Sequence, residues 1–133
     1  MPVALQNHSG LTSTGDDMLR FYKAVNHPNF TLLLDTGHFE GREGPNGPKI
    51  AGTTYEHYYR SIEQVAPLTQ FVRVKFYLPD ASGKEKYIDY PRVMNILRGV
   101  HYNGFLGIVY EGKEEETQAV PRCVRYMRSV MRG

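Results

Sequence analysis

With 133 residues, 41% of them hydrophobic, the chain has material for one soluble domain with a single core. A formal net charge of +2 is too small to imply nucleic acid as a partner, no apolar run reaches the length of a membrane span, and the N-terminus lacks the basic and apolar regions of a secretion signal. The single cysteine, Cys123, has no partner for an internal disulfide, which suits a reducing cytoplasm, and its neighbours Val120, Val124 and Met127 mark it as a packed thiol.

Taken in order, short apolar runs alternate with segments of helical period. Val3 to Asn7 reads as a first strand. Ser13 or Thr14 then caps a helix with Asp16 and Asp17 in its first turn and Met18, Leu19, Tyr22 and Val25 on its apolar face. Asn26-His27-Pro28-Asn29 ends that helix, and a second strand runs from Phe30 or Thr31 to Asp35. The loop after it holds Gly41, Gly44, Pro45, Gly47, Pro48 and Gly52; a lid and a disordered insertion fit this composition equally. A helix follows from Thr54 to Val65, with its tyrosines available to pack. Phe71 to Tyr77 is a third strand, and Pro79 to Gly83 a turn. Asp89 caps a further helix with Pro91 just inside, and Tyr102-Asn103-Gly104 leads into a fourth strand, Phe105 to Glu111. The last helix, Glu114 to Met131, starts acidic and ends basic, and Pro121 predicts a restart or kink within it. The order is (βα)4 in a single α/β domain, 1–133, with no internal linker.

Side chains alternate across a strand, so position parity separates the two faces of the sheet. Val3, Leu5, Leu32, Leu34, Val72, Val74, Phe76, Leu106, Ile108 and Tyr110 share one face, which is apolar and suited to pack on helices. The other face collects Gln6, Asp35, Arg73, Lys75 and Glu111 late in four different strands. Such convergence is what a barrel interior with a site at its C-terminal mouth requires. His8 lines that mouth if the first strand continues, whereas His27, His57 and His101 fall in helix or turn segments and read as surface residues.

The segments Leu5-Gln6-Asn7-His8, Leu34-Asp35-Thr36-Gly37-His38-Phe39, Val74-Lys75-Phe76-Tyr77, Ile88 to Val93, Tyr102 to Phe105 and Tyr110-Glu111-Gly112 together resemble the C-terminal half of the xylose-isomerase-like sugar-phosphate isomerase/epimerase family. The resemblance covers nearly the whole chain and implies strands five to eight of an eight-stranded barrel. It also implies a divalent metal (Mn, Mg or Zn) held by Glu, Asp, His and Glu, with the two Glu residues moving a proton between adjacent sugar carbons. Carried over by position, the first Glu falls on Gln6, the Asp on Asp35, the substrate-side His on His38, the metal-binding His on Arg73 and the last Glu on Val109, with Glu111 two residues beyond.

The departures carry chemical consequences. Gln6 cannot act as a general base near neutral pH, Arg73 cannot lose its proton to ligate a metal, and Val109 has no chemistry. A degenerate site is therefore expected, in which Arg73 replaces the metal as the positive partner of Asp35 and Glu111. If activity persists, Glu111 and Gln6 are the catalytic candidates, Asp35 and Glu111 the metal ligands, and His38, His8, Lys75 and Arg73 the contacts to a sugar or sugar phosphate; the plainer alternative for Lys75 is an ion pair with Asp35 or Glu111. Four strands of half a barrel leave two open edges, so a homodimer closing eight strands, or pairing with a separate N-terminal half, is expected.

Overall fold

The computed structural model describes residues 1–47 and 50–133, so Pro48 of the long loop lies outside the described residues. Four strands, β1 (Val3–Gln6), β2 (Phe30–Asp35), β3 (Thr69–Phe76) and β4 (Phe105–Tyr110), form one sheet in the order β1-β2-β3-β4. Every neighbouring pair is parallel. Four α-helices follow them in turn: α1 (Gly15–Val25), α2 (Tyr55–Val65), α3 (Tyr90–Gly99) and α4 (Glu116–Arg132).

Local chemistry sets the helix ends. Thr14 caps α1 by accepting a hydrogen bond from the Asp17 amide, and Asn26 closes that helix in the left-handed region at φ 40°. Thr54 and His57 cap α2 reciprocally, so His57 is exposed as expected but holds a helix start. Asp89 caps α3 through the Arg92 amide, with Pro91 in the first turn. Helix α4 continues through Pro121 rather than restarting there. The proline forfeits one backbone bond near the helix start, and burial of Ala119, Cys123 and Met127 holds the rest in place.

The helices cover one face of the sheet. Leu32, Leu34, Val72, Val74 and Phe76 are all 1% exposed or less and pack with Met18, Tyr58, Ile62, Tyr90, Leu97 and Cys123 into the core. Burial pushes the Cys123 thiol up to about 11, so it is a packed, inert group at neutral pH. Val25, expected on the apolar face of α1, is instead 47% exposed, together with Leu11 (80%) and Phe21 (39%) on the β1 side of the molecule.

The opposite face carries a layer that is only half covered. Register sets Gln6 beside Leu33, Leu33 beside Phe71 and Phe71 beside Phe105. A Cβ on Gly107 would come within 2.6 Å of the Phe71 ring, so the glycine makes room for it. Phe105 ends this layer 78% exposed. The strands are thus the half of a barrel wall anticipated from their sequence.

Candidate functional site

Register assembles the charged side chains above that apolar layer. Asp35 is paired with Arg73, Arg73 with Gly107, and Lys75 with Val109, so the polar residues climb diagonally towards Glu111, just beyond β4. All five inward residues expected from parity come together. Gln6 Nε2 donates to Asp35 Oδ2 at 3.0 Å, and its Oε1 accepts from Arg73 Nη1 at 3.0 Å. Arg73 Nε and Lys75 Nζ each lie 3.6 Å from the same Asp35 Oδ2, and Lys75 Nζ donates to Glu111 Oε1 at 2.5 Å.

One pairing differs from expectation. Arg73 closes on Asp35 and Gln6, while Glu111 is met by Lys75. The register between β3 and β4 explains this: Arg73 is level with Gly107 and Lys75 with Val109, so Glu111 stands two layers above Arg73 but only one above Lys75, within reach of its ammonium. Burial alone would raise the Glu111 carboxyl. The hydrogen bond and charge of Lys75, with a hydrogen bond from Asn46, outweigh burial and hold it below the usual carboxylate range.

The Asp35-Thr36-Gly37-His38 turn is fixed on all sides. Asn7 is wholly buried and binds the Asp35 main chain twice, its Nδ2 donating to the carbonyl at 2.9 Å and its Oδ1 accepting from the amide at 2.7 Å. Asp35 Oδ1 accepts from the Gly37 amide at 2.8 Å, and a Cβ on Gly37 would strike both Tyr77 and Lys75. Arg42, 3% exposed, donates from Nε to the Gly37 carbonyl and from its other nitrogens to the carbonyls of Glu43 and Pro45. Its guanidinium stacks on Tyr77, 4.5 Å from the ring centre.

His38 is 6% exposed, with Nε2 3.9 Å from Asp35 Oδ2 and a buried Nδ1 that has no protein partner among the described residues. Burial lowers its pKa, Asp35 opposes this, and His8 and Lys75 reinforce it. His8 is exposed and stacks on His38 with ring centres 4.0 Å apart. His8, Ser9, His38, Asn46 and Glu111 line an open cavity of about 420 Å³ at the strand ends.

Sequence reasoning missed Asn7, Arg42, Asn46 and Glu85. Glu85 is 2% exposed and accepts backbone N–H bonds from Tyr77, Leu78 and Tyr87, which shapes the loop after β3. Asn7 directly follows Gln6, the last residue of β1, and an amide at that place was the signal available.

The fold and the polar cluster define a parallel α/β half-barrel with its site at the C-terminal ends of the strands. The chain belongs to the xylose isomerase-like TIM barrel family, whose model matches residues 1–130. It is similar to a xylose isomerase-like TIM barrel protein from Mycobacterium smegmatis, solved in complex with magnesium, at 18% identity and TM-score 0.71, over 99% of this chain and 44% of that one. An L-ribulose 3-epimerase matches at 15% identity and TM-score 0.71, over 99% and 48% of the two chains. A 3-keto-D-glucoside 4-epimerase from E. coli matches at 18% and 0.67, over 97% and 46%. The chain thus spans less than half the length of these structures. No curated protein matches it.

The family implies a divalent metal, and the donor set here does not fit one. Two cationic side chains lie 3.6 Å from the one Asp35 oxygen that faces the cluster. Among the described residues no three His, Cys, Asp or Glu side chains come together as a metal-holding group.

Proposed function

We propose that the chain is one half of a sugar- or sugar-phosphate-binding barrel related to the isomerases and epimerases, completed to eight strands by a second copy and without metal-dependent isomerisation. The observation that carries this reading is the environment of Asp35 Oδ2, where Gln6, Arg73 and Lys75 converge with N–H groups. A buried carboxylate already compensated by an ammonium and a guanidinium gains little from a further cation, and those two charges repel it. The cavity beside His8, His38, Asn46 and Glu111 supplies hydrogen-bond donors and acceptors of the kind sugar hydroxyls need. Arg73, with a side chain 33% exposed, is placed to meet a phosphate or carbonyl oxygen.

Completion by a second copy is supported by where apolar surface is left open. Val3, Leu11, Phe21 and Val25 lie along the β1/α1 side, and Phe105 and Met131 along the β4/α4 side, all exposed. Joining β1 of each copy to β4 of the other covers both edges at once. Calorimetry with Mn²⁺, Mg²⁺ and Zn²⁺ on chelator-treated protein tests the site: no binding is expected, and micromolar binding lost in Asp35→Ala would overturn it. Light scattering at micromolar concentration tests assembly. A dimer mass is expected, whereas a monomer would point to a separate N-terminal half.

A second reading is favoured by the contact of Lys75 with Glu111. In an active isomerase or epimerase, Glu111 would accept a proton from a sugar carbon while Lys75 holds it ionised. Turnover of simple ketoses, abolished by Glu111→Gln, would replace the first reading with this one.

A further inference from the structure

Beside the polar cavity lies a larger and less polar one. Its volume is about 570 Å³, and its walls come from the loops after β2 and β3 and the end of β4: Pro45, Tyr77, Leu78, Tyr87 and Tyr110, with Lys113 and Glu114 at the rim. Glu111 lines both cavities. Between them, Asn46 Nδ2 donates to Glu111 Oε2 at 3.3 Å, and Pro45 and Asn46 turn adjacent side chains to the two spaces.

The aromatic walls are held rather than loose. Arg42 stacks on Tyr77, and the backbone of Gly44 lies so close to Tyr87 that an added Cβ would fall 2.6 Å from its ring. The buried Glu85 fixes the backbone of Tyr77, Leu78 and Tyr87, and Tyr55 donates to the Tyr87 carbonyl. Tyr110 is anchored through its hydroxyl, which accepts from the Glu114 amide. Rigid tyrosine rings with charged groups at the rim suit a pyranose ring, whose C–H faces lie on aromatics while its hydroxyls reach polar groups.

We propose that this tyrosine cleft binds a second ring, so that the ligand of the site is a glycoside, in the first instance a disaccharide, rather than a single sugar or its phosphate. One ring lies against His38 and Glu111 and the other against Tyr87 and Tyr110, with the glycosidic link passing Glu111. The proposal rests on the polar cavity being a sugar site. It adds that the size and polarity of the neighbouring cleft decide which sugars are accepted.

The test is saturation-transfer NMR with affinities from calorimetry on the full chain, using glucose and fructose as one-ring probes, cellobiose and sucrose as two-ring probes, and phenyl β-D-glucopyranoside as an aromatic one. The two-ring sugars are expected to bind about tenfold more tightly than the single rings, as one well-packed ring contact would give. Tyr87→Ala should remove that preference. Leu78→Asp, at a residue 51% exposed and so safe for folding, should weaken it independently. One-ring sugars binding as tightly as two-ring sugars would overturn the cleft while leaving the sugar site standing. A preference that survives both variants, or a gain confined to the phenyl glucoside, would also overturn it. Absence of binding by every probe would overturn both the cleft and the sugar site.

Discussion

The ammonium of Lys75 and the carboxylate of Glu111 lie 2.5 Å apart, with Lys75 1% exposed and the Glu111 side chain 36% exposed. The pair is therefore buried on its cationic side alone. Lys75→Met should cost about 3 kcal/mol in urea unfolding, because Asp35 loses one compensating charge inside the fold. Glu111→Gln should cost about 1 kcal/mol or less, since water reaches that carboxylate. Equal costs for the two would contradict this asymmetry.

Stability should fall in two steps on acidification. His38 has a folded pKa below its usual value, so the neutral ring favours the fold; that contribution is complete above about pH 6.5 and is lost as pH falls through the lowered folded value. Glu111 is likewise depressed, so its contribution is complete above about pH 4.5 and is lost below it. His38→Gln should flatten the first step and leave the second, as read by thermal unfolding from pH 8 down to about pH 2.

Restoring the family's ligands should restore a cation site. The double variant Gln6→Glu, Arg73→His removes one repelling charge and adds two donors next to Asp35. Calorimetry with Mn²⁺ should show at least a tenfold gain over the parent chain. No gain would mean that the strand ends do not correspond as argued.

Parity exposed Gln6, Asp35, Arg73, Lys75 and Glu111 as one group, because a strand repeats every two residues whatever surrounds it. It could not say whether Arg73 or Lys75 would meet Glu111, since that depends on the stagger between β3 and β4. Asn7, Arg42 and Glu85 stayed hidden for a related reason. Their partners are backbone groups of distant loops, and no local pattern marks such contacts. Helix α4 runs on through Pro121 without the restart that was one of the two expectations there, because tertiary packing outweighs a local penalty.

Glu85 offers a check on those hidden contacts. Its carboxylate satisfies three backbone N–H groups, so Glu85→Ala should cost about 2–3 kcal/mol in chemical unfolding. Glu85→Gln keeps one acceptor oxygen and should cost about half as much. A neutral Glu85→Ala would show that water replaces it.

At the sheet edge, Phe105 is 78% exposed and makes a variant that separates folding from association. Phe105→Asp should leave the unfolding midpoint of the isolated chain within about 0.5 kcal/mol of the parent. It should nevertheless shift the mass by light scattering from dimer to monomer. A dimer that survives this change would place the contact elsewhere.

The amide of Asn7 stands in for one more residue of strand at the end of β1, pairing with Asp35 as a neighbouring backbone would. β1 is also an open edge of the sheet, and its last residue, Gln6, holds the Asp35 carboxylate. The strand that offers itself to a neighbour is therefore the one that grips the centre of the site. Any ligand that tightens the grip on Asp35 stiffens that edge, and any chain that docks along the edge pulls on Asp35. If a ligand engages Asp35 and a chain docks along β1, whatever factor one event contributes to the other is returned in equal measure.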